Sequence, residues 1–303
     1  DMSALNEVYL QVFAELGTGA IEDFVPLIHM LPTPHMTKLH SLSATRDKIL
    51  GKMICERRQH LKENGRAAGD VMDALILRQE EIKITDQEIV LLVSDLLSAG
   101  SDTGSSSTLW LLRMLAAHPE AQDAVQQELD IVFGSEVPAG EISREKLPVL
   151  SATIMETMRI RAVAPLALPH ANREPMTISG YSIPANSQIL VNNSALMMDP
   201  TLWDRPEEFR PRRFLEEEAG LKLQGAESRP NVAAYKFVPF GVGPRYCPGQ
   251  AMAQVELFLA AAHLLHAFRW SPPPGEEVSL ETKTALTLEP KVPQELLCTP
   301  RWT

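Results

Sequence analysis

Cysteine is scarce in this chain. Only Cys55, Cys247 and Cys298 occur among its 303 residues, and no two of them form a Cys-x-x-Cys pair. A disulfide scaffold or a cysteine-rich zinc site needs more cysteines at closer spacing. The sequence therefore predicts a protein of a reducing compartment, in which any functional cysteine acts singly.

The sequence also lacks a long apolar run and lacks an excess of basic residues. Its longest apolar stretch, residues 89–99, is interrupted by Ser94 and Asp95 and is shorter than the roughly 20 residues of a membrane-spanning helix. The net charge of −11 argues against nucleic acid as a partner. With 45% hydrophobic residues the chain can bury a sizeable core, and its Asp1-Met2-Ser3 start is expected for a fragment of a longer protein.

Helical periodicity dominates what the chain does contain. We predict a single domain, in which residues 1–85 form scaffold helices and loops and residues 86–303 form the functional core. Short strand-like runs separated by turns predict small sheets rather than alternating βαβ units. The expected fold class is mainly α with small β-sheets. The predicted helices cover 6–16, 36–64, 71–78, 87–117, 121–133, 147–161 and 252–268, and the strand-like runs cover 176–178, 181–184, 188–191 and 284–288.

Cys247 lies in a glycine- and proline-rich stretch just before a long apolar helix: Phe240-Gly241-Val242-Gly243-Pro244-Arg245-Tyr246-Cys247-Pro248-Gly249. Glycine permits positive φ and close backbone approach, and Pro248 suits the first turn of a helix. A helix N-terminus favours a thiolate over a thiol. Cys247 is therefore a candidate metal ligand, and a buried structural cysteine is the alternative.

The middle of the 87–117 helix is rich in glycine and hydroxyl residues over positions 99–108. Because such residues are mediocre helix formers, concentrating them here costs stability. One explanation is a bent helix whose hydroxyls bond back to the i−4 carbonyls. The other is a groove, where Ala99 and Gly100 admit a large group to the backbone beside the acid Asp102 and the alcohol Thr103.

Four motifs together resemble the cytochrome P450 family. The haem-binding loop pattern Phe-x-x-Gly-x-Arg-x-Cys-x-Gly is matched at every fixed position, by Phe240, Gly243, Arg245, Cys247 and Gly249. The oxygen-binding pattern Ala/Gly-Gly-x-Asp/Glu-Thr is matched by Ala99, Gly100, Asp102 and Thr103. A Glu-x-x-Arg and a later Pro-x-Arg-Phe supply Glu156, Arg159 and Arg213. Alone, Glu156 and Arg159 would more often be an exposed pair on one helix face.

The resemblance assigns roles to these residues. Cys247 would be the axial ligand of haem b, with Arg245 and His170 bonding its propionates. Thr103 would hydrogen-bond the bound dioxygen, and Asp102 would help to deliver protons. Glu156, Arg159 and Arg213 would form a structural triad. The residues expected at the substrate pocket are Val163, Leu166, Ala285 and Leu286.

The function implied is a haem-thiolate monooxygenase with the C-terminal portion of the P450 fold, acting on O2 and a small lipophilic substrate, a steroid or xenobiotic. NADPH–cytochrome P450 reductase would dock on the Cys247 side, near Lys236 and Arg245. The motifs resemble most the microsomal animal branch, similar to steroid 17- and 21-hydroxylases and drug-metabolising members. The full protein is expected to attach to the endoplasmic reticulum membrane on its cytosolic face.

Two alternatives stay open at this point. A haem-thiolate isomerase or dehydratase would act on a peroxide without a reductase, although such relatives usually lack the acid–alcohol pair of Asp102 and Thr103. A truncated chain that cannot retain haem would be no enzyme at all, since the N-terminal part of the family fold is missing. Ala162 and Gly104 also depart from the family pattern.

Overall fold

The computed structural model describes residues 2–18, 25, 33–64, 69–136, 138, 142–216, 236–284 and 287–302. Helices dominate these residues, so the predicted mainly α class is confirmed. The helices are α1 (Met2–Thr18), α2 (Pro34–Asn64), α3 (Val71–Ile82), α4 (Asp86–Ala117), α5 (Pro119–Phe133), α6 (Pro148–Ile160), α7 (Asn193–Met197), α8 (Arg213–Glu216) and α9 (Gln250–Ala267).

Among the residues that the structure describes, the strands are short and pair in twos. The structure contains β1 (His170–Ala171), β2 (Met176–Ile178), β3 (Tyr181–Ile183), β4 (Gln188–Ile189), β5 (Phe268–Ser271), β6 (Thr282–Thr284), β7 (Leu288–Pro290) and β8 (Leu297–Pro300). The antiparallel pairs are β1 with β4, β2 with β3, β5 with β8 and β6 with β7. Ser179 and Gly180 join β2 to β3 with φ of 50° and 87°, as a tight hairpin turn requires.

The helix α3 continues past the predicted end at residue 78. Glu80 and Glu81, which follow that predicted end, both lie in the helix. The Arg78 guanidinium pairs with the Glu81 carboxylate one turn on, at 2.8 Å. The helix stops at Lys83, whose φ of 56° is left-handed and whose N–H donates to the Gln79 carbonyl.

The start of α4 is fixed by a capping box. The Thr85 hydroxyl accepts from the Glu88 N–H at 3.2 Å, and the Thr85 N–H donates to the Glu88 carboxylate at 2.7 Å. These reciprocal bonds satisfy backbone groups that the first helical turn leaves free. The long helix that carries Ala99, Gly100, Asp102 and Thr103 therefore begins where the sequence indicates.

The chain divides into two compact units, Asp1–Ser101 and Asp102–Thr303. The core of the first unit joins Leu5, Leu50 and Ile54 to Ile89. The core of the second unit is built on α4, α5, α6 and α9, with Leu115, Leu129, Leu150 and Leu265 fully buried. The predicted single domain with a division at residue 85 stays a prediction.

Among the described residues, the structure contains no helix that is both long enough and apolar enough to cross a bilayer.

Candidate active site

The loop that carries Cys247 is tightly folded. The Cys247 N–H donates to the Phe240 carbonyl at 2.9 Å, and the Tyr246 N–H donates to the Gly243 carbonyl at 3.1 Å. Gly241 and Gly243 have φ of 73° and 76°, a region that L side chains adopt only with strain. The two glycines therefore allow the chain to turn back and hold Cys247 beside Phe240.

The helix after the loop begins two residues before the predicted limit at residue 252, but still after Pro248. Its first residue is Gln250 and its N-cap is Gly249, so the placement of Pro248 in the first helical turn is wrong by two residues. The Cys247 carbonyl already accepts the Gln250 N–H at 3.3 Å, which closes a turn before the helix starts. A Cβ added at Gly249 would lie 3.8 Å from the Cys247 sulfur, so glycine keeps space beside the thiol.

The polar groups expected to hold a haem have unused bonding capacity. Cys247 is a free, half-buried thiol, while Arg245 and His170 are exposed. Within the described ranges, none of these three side chains forms a hydrogen bond or ion pair with another residue. A thiolate is an established ligand of haem iron, and cationic side chains bind carboxylates such as propionates. The residues therefore fit a haem.

On α4, the Asp102 carboxylate and the carbonyls of the hydroxyl-rich stretch accept hydrogen bonds from different hydroxyl groups. The Asp102 carboxylate accepts a hydrogen bond from the Thr287 hydroxyl, Oγ1 to Oδ2, at 2.9 Å. The Thr103 carbonyl accepts from the Ser107 hydroxyl at 2.7 Å, and the Gly104 carbonyl accepts from the Thr108 hydroxyl at 2.9 Å. The i−4 explanation for the hydroxyl-rich stretch is thus correct for Ser107 and Thr108.

Ala99 and Gly100 lie one turn before Thr103 on the same helix. A Cβ built on Gly100 would meet no atom of another residue within 4 Å in the described structure. The backbone at this glycine is exposed, and the groove explanation for this part of α4 stays a prediction.

The predicted pocket residues are only partly described. The Val163 carbonyl accepts from the Leu288 N–H at 2.8 Å. This bond brings Val163 next to the C-terminal hairpin, by which we mean the paired strands β6 and β7 together with Thr287. Leu166 is exposed. Ala285 and Leu286 lie outside the described residues. The substrate-lining role of all four pocket residues stays a prediction.

The structure brings Glu156, Arg159 and Arg213 together in the interior. Arg159 donates to Glu156 twice, from Nε to Oε2 at 2.8 Å and from Nη2 to Oε1 at 2.9 Å. Arg213 Nε donates to Oε1 at 3.0 Å. All three side chains are almost fully buried, so this is not the exposed pair that a lone Glu-x-x-Arg usually forms.

Backbone carbonyls complete the triad. Arg159 donates to the carbonyls of Met197 at 2.9 Å and Pro206 at 2.7 Å. Arg213 donates to the Asp204 carbonyl at 2.8 Å. The two guanidinium groups therefore tie the residues 197–208 to α6.

Lys236 is less available for a partner than the sequence suggested. Its ammonium lies 4.5 Å from the centre of the Trp203 ring and donates to the Leu202 carbonyl at 3.4 Å. Of the two cations expected near the cysteine loop, Arg245 is the more exposed.

Sequence reasoning missed three further residues near Asp102. Ser106 and Trp110 follow Asp102 at i+4 and i+8, so they share its helix face, and this spacing is a signal that was available. Thr287 has no such signal, because its partner is 185 residues away.

The fold and the cysteine loop together define a mainly α protein with a candidate cysteine-ligated haem site. The family model described as Cytochrome P450 matches residues 3–297. This chain belongs to the cytochrome P450 family.

Known proteins similar to this chain include plant and fish members. A trans-cinnamate 4-monooxygenase of Sorghum bicolor is 34% identical over 256 residues, covering 84% of this chain and 50% of that protein. Cytochrome P450 1A1 of Opsanus tau is 32% identical, covering 95% of this chain and 54% of that protein. The chain thus spans about half the length of these curated relatives.

Among solved structures, a zebrafish cytochrome P450 determined with progesterone has a TM-score of 0.81 and 30% identity, covering 99% of this chain and 64% of that one. The predicted family is confirmed. These similarities do not show whether the chain is more similar to animal steroid hydroxylases or to plant enzymes.

Proposed function

We propose that this chain is the haem-binding portion of a monooxygenase that inserts one oxygen atom of O2 into a lipophilic substrate. The observation that carries the proposal is the Cys247 thiol, held in a loop with two positive-φ glycines in a chain of the P450 family. Asp102 and Thr103 on α4 favour oxygen activation over the isomerase alternative.

Cys247 would ligate the iron of haem b, and Arg245 and His170 would bind haem propionate. When bound, the haem supplies the activation of dioxygen. The protein's part would be to hold the sulfur in place within the loop. Gly249 serves this by leaving space beside the sulfur.

Asp102 and Thr103 would manage protons. Asp102 is half-buried and one of its oxygens is held by Thr287, so its orientation is restrained. A positioned carboxylate next to a hydroxyl can pass a proton inward as a general acid. The triad of Glu156, Arg159 and Arg213 would stabilise the fold and help the chain to retain haem. It would not transfer protons.

The substrate and partners are proposed from the relatives. The zebrafish neighbour was solved with progesterone, and the sorghum relative is named for trans-cinnamate. Progesterone is a lipophilic steroid, the substrate class expected from the sequence, and cinnamate adds a small aromatic acid as a second candidate. Electrons would come from NADPH–cytochrome P450 reductase docking near Arg245, and the full-length protein would attach to the cytosolic face of the endoplasmic reticulum.

The test is turnover of the haem-loaded chain with isotopically labelled dioxygen, the reductase and NADPH, offered progesterone and cinnamate separately. We expect a product with one labelled oxygen atom, formed only with NADPH. Thr103→Ala is expected to lower product formation by on the order of 10²-fold. Conversion of an organic peroxide without NADPH, and no labelled product, would instead support the isomerase alternative.

A further inference from the structure

One face of α4 holds two consecutive residues of the C-terminal hairpin. Asp102, Ser106 and Trp110 recur every four residues and therefore share this face. Asp102 accepts from Thr287 at 2.9 Å. Ser106 Oγ and Trp110 Nε1 donate to the Leu288 carbonyl at 3.0 and 2.8 Å.

These contacts are buried and mutually supporting. Thr287 and Leu288 are 6% and 8% exposed, and Trp110 is fully buried. The Leu288 N–H donates to the Val163 carbonyl, so both backbone polar groups of Leu288 are satisfied. Because Leu288 is anchored on both sides, the position of its neighbour Thr287 is fixed by the backbone.

The two carboxylate oxygens of Asp102 differ in their hydrogen bonding. Oδ2 accepts the Thr287 hydroxyl, whereas Oδ1 accepts no hydrogen bond from any residue that the structure describes. A carboxylate tethered through one oxygen keeps the other in a defined direction. A hydrogen bond to a charged acceptor is strong enough to maintain that orientation.

We propose that Thr287 is a positioning residue for Asp102. Its hydroxyl holds Oδ2, so that Oδ1 is the atom that takes up and passes on protons. The proposal rests on the proposed function, but the contact itself can be tested without turnover.

The first test is a double-mutant cycle on chemical unfolding of the chain, with Thr287→Val and Asp102→Ala, because alanine has no oxygen that could accept the Thr287 hydroxyl. Valine has nearly the shape of threonine and removes only the hydroxyl's hydrogen bond. We expect the two changes to be coupled by about tenfold or more in the unfolding equilibrium constant, and Thr287→Ser to restore the unaltered stability. If the effect of the double variant on the unfolding equilibrium constant equals the product of the two single effects, within about twofold, the proposal is overturned.

The second test separates positioning from anchoring of the hairpin. Ser106→Ala is the matched control, because it removes a bond to the same hairpin without touching Asp102. In the haem-loaded chain, we expect Thr287→Val to lower the product formed per NADPH consumed by about tenfold, with rescue by Thr287→Ser. Ser106→Ala should lower stability and leave that ratio within about twofold.

The outcomes distinguish two failures. Equal ratios for Thr287→Val and Ser106→Ala would overturn the positioning role. Absence of turnover in every variant, the unaltered chain included, would contradict the proposed function, and the unfolding cycle would still decide whether Thr287 holds Asp102.

Discussion

Two polar clusters of the second unit are built in opposite ways. The guanidinium groups of Arg159 and Arg213 are buried and bonded to Glu156 and to backbone carbonyls. The Cys247 thiol and the Arg245 guanidinium, in contrast, form no hydrogen bond or ion pair within the described part of the chain. The difference indicates that the charges of the Glu156, Arg159 and Arg213 triad are saturated by protein, while the groups proposed to bind haem keep their bonding capacity.

The largest effect is expected from breaking the saturated cluster. Arg159→Met leaves Glu156 with one cationic partner in the interior and frees several backbone carbonyls. Removing one member of a buried ion pair typically costs about 3–5 kcal/mol. Urea unfolding should show a loss of that size, and a loss below about 1 kcal/mol would contradict the structural role.

A matched control exists at the surface. Arg78 and Glu81 have the same i,i+3 spacing and a similar 2.8 Å distance, but their side chains are 62% and 64% exposed. Arg78→Ala should change stability by less than about 1 kcal/mol, because exposed pairs are screened by water. If Arg159→Met and Arg78→Ala lowered the free energy of unfolding equally, burial could not explain the large effect at Arg159.

The sequence predicts this triad only in part. The motifs identify Glu156, Arg159 and Arg213 and predict that these three side chains interact. They do not indicate that Met197, Pro206 and Asp204 supply carbonyls, because a carbonyl belongs to every residue type and leaves no pattern in the sequence.

The second prediction concerns the geometry of the cysteine loop. A Cβ at Gly243 would meet nothing within 4 Å among the described residues, so any cost of Gly243→Ala comes from its φ of 76°. We expect a loss of about 1–2 kcal/mol, measured by chemical unfolding, with weaker haem retention.

Gly51 is the opposite case. It lies inside α2, and a Cβ there also meets nothing within 4 Å of the described structure. Gly51→Ala should stabilise the chain by about 0.5–1 kcal/mol, because alanine is the better helix former. The same sign for both substitutions would contradict the conformational role of Gly243.

The third prediction uses an exposed cluster in the first unit. Hydrogen bonds from Arg58 and then Gln79 lower the pKa of Asp86 from 3.8 to about 2. Because the pKa is lower when folded, the stabilisation is present above about pH 4 and is lost as the pH falls toward 2. Asp86 is 54% exposed, so after allowing for screening we expect only about 1 kcal/mol.

The measurement is the unfolding free energy of the unaltered chain and of Asp86→Asn at pH 5 and pH 2.5. The difference between the two proteins should shrink at the lower pH. A difference independent of pH would show that the Asp86 charge contributes nothing, which sharpens the contrast with the buried triad.

Local signals in the sequence were the reliable ones. The Thr85 and Glu88 capping box and most helix limits follow from spacing along the chain. The bond between Thr287 and Asp102 could not be predicted, because it joins positions brought together only by folding. Pro248 was misplaced because the Cys247 carbonyl closes a turn before α9 begins, a backbone detail that no residue type specifies.

The most direct test of the central claim is the absorption spectrum of the haem-loaded chain, reduced and exposed to carbon monoxide. If Cys247 is the thiolate ligand, the Soret band should be strongly red-shifted, lost in Cys247→Ser and kept in Cys55→Ser, where an exposed cysteine is changed. An unshifted band in the unaltered chain, or a shifted band that survives Cys247→Ser, would contradict the account.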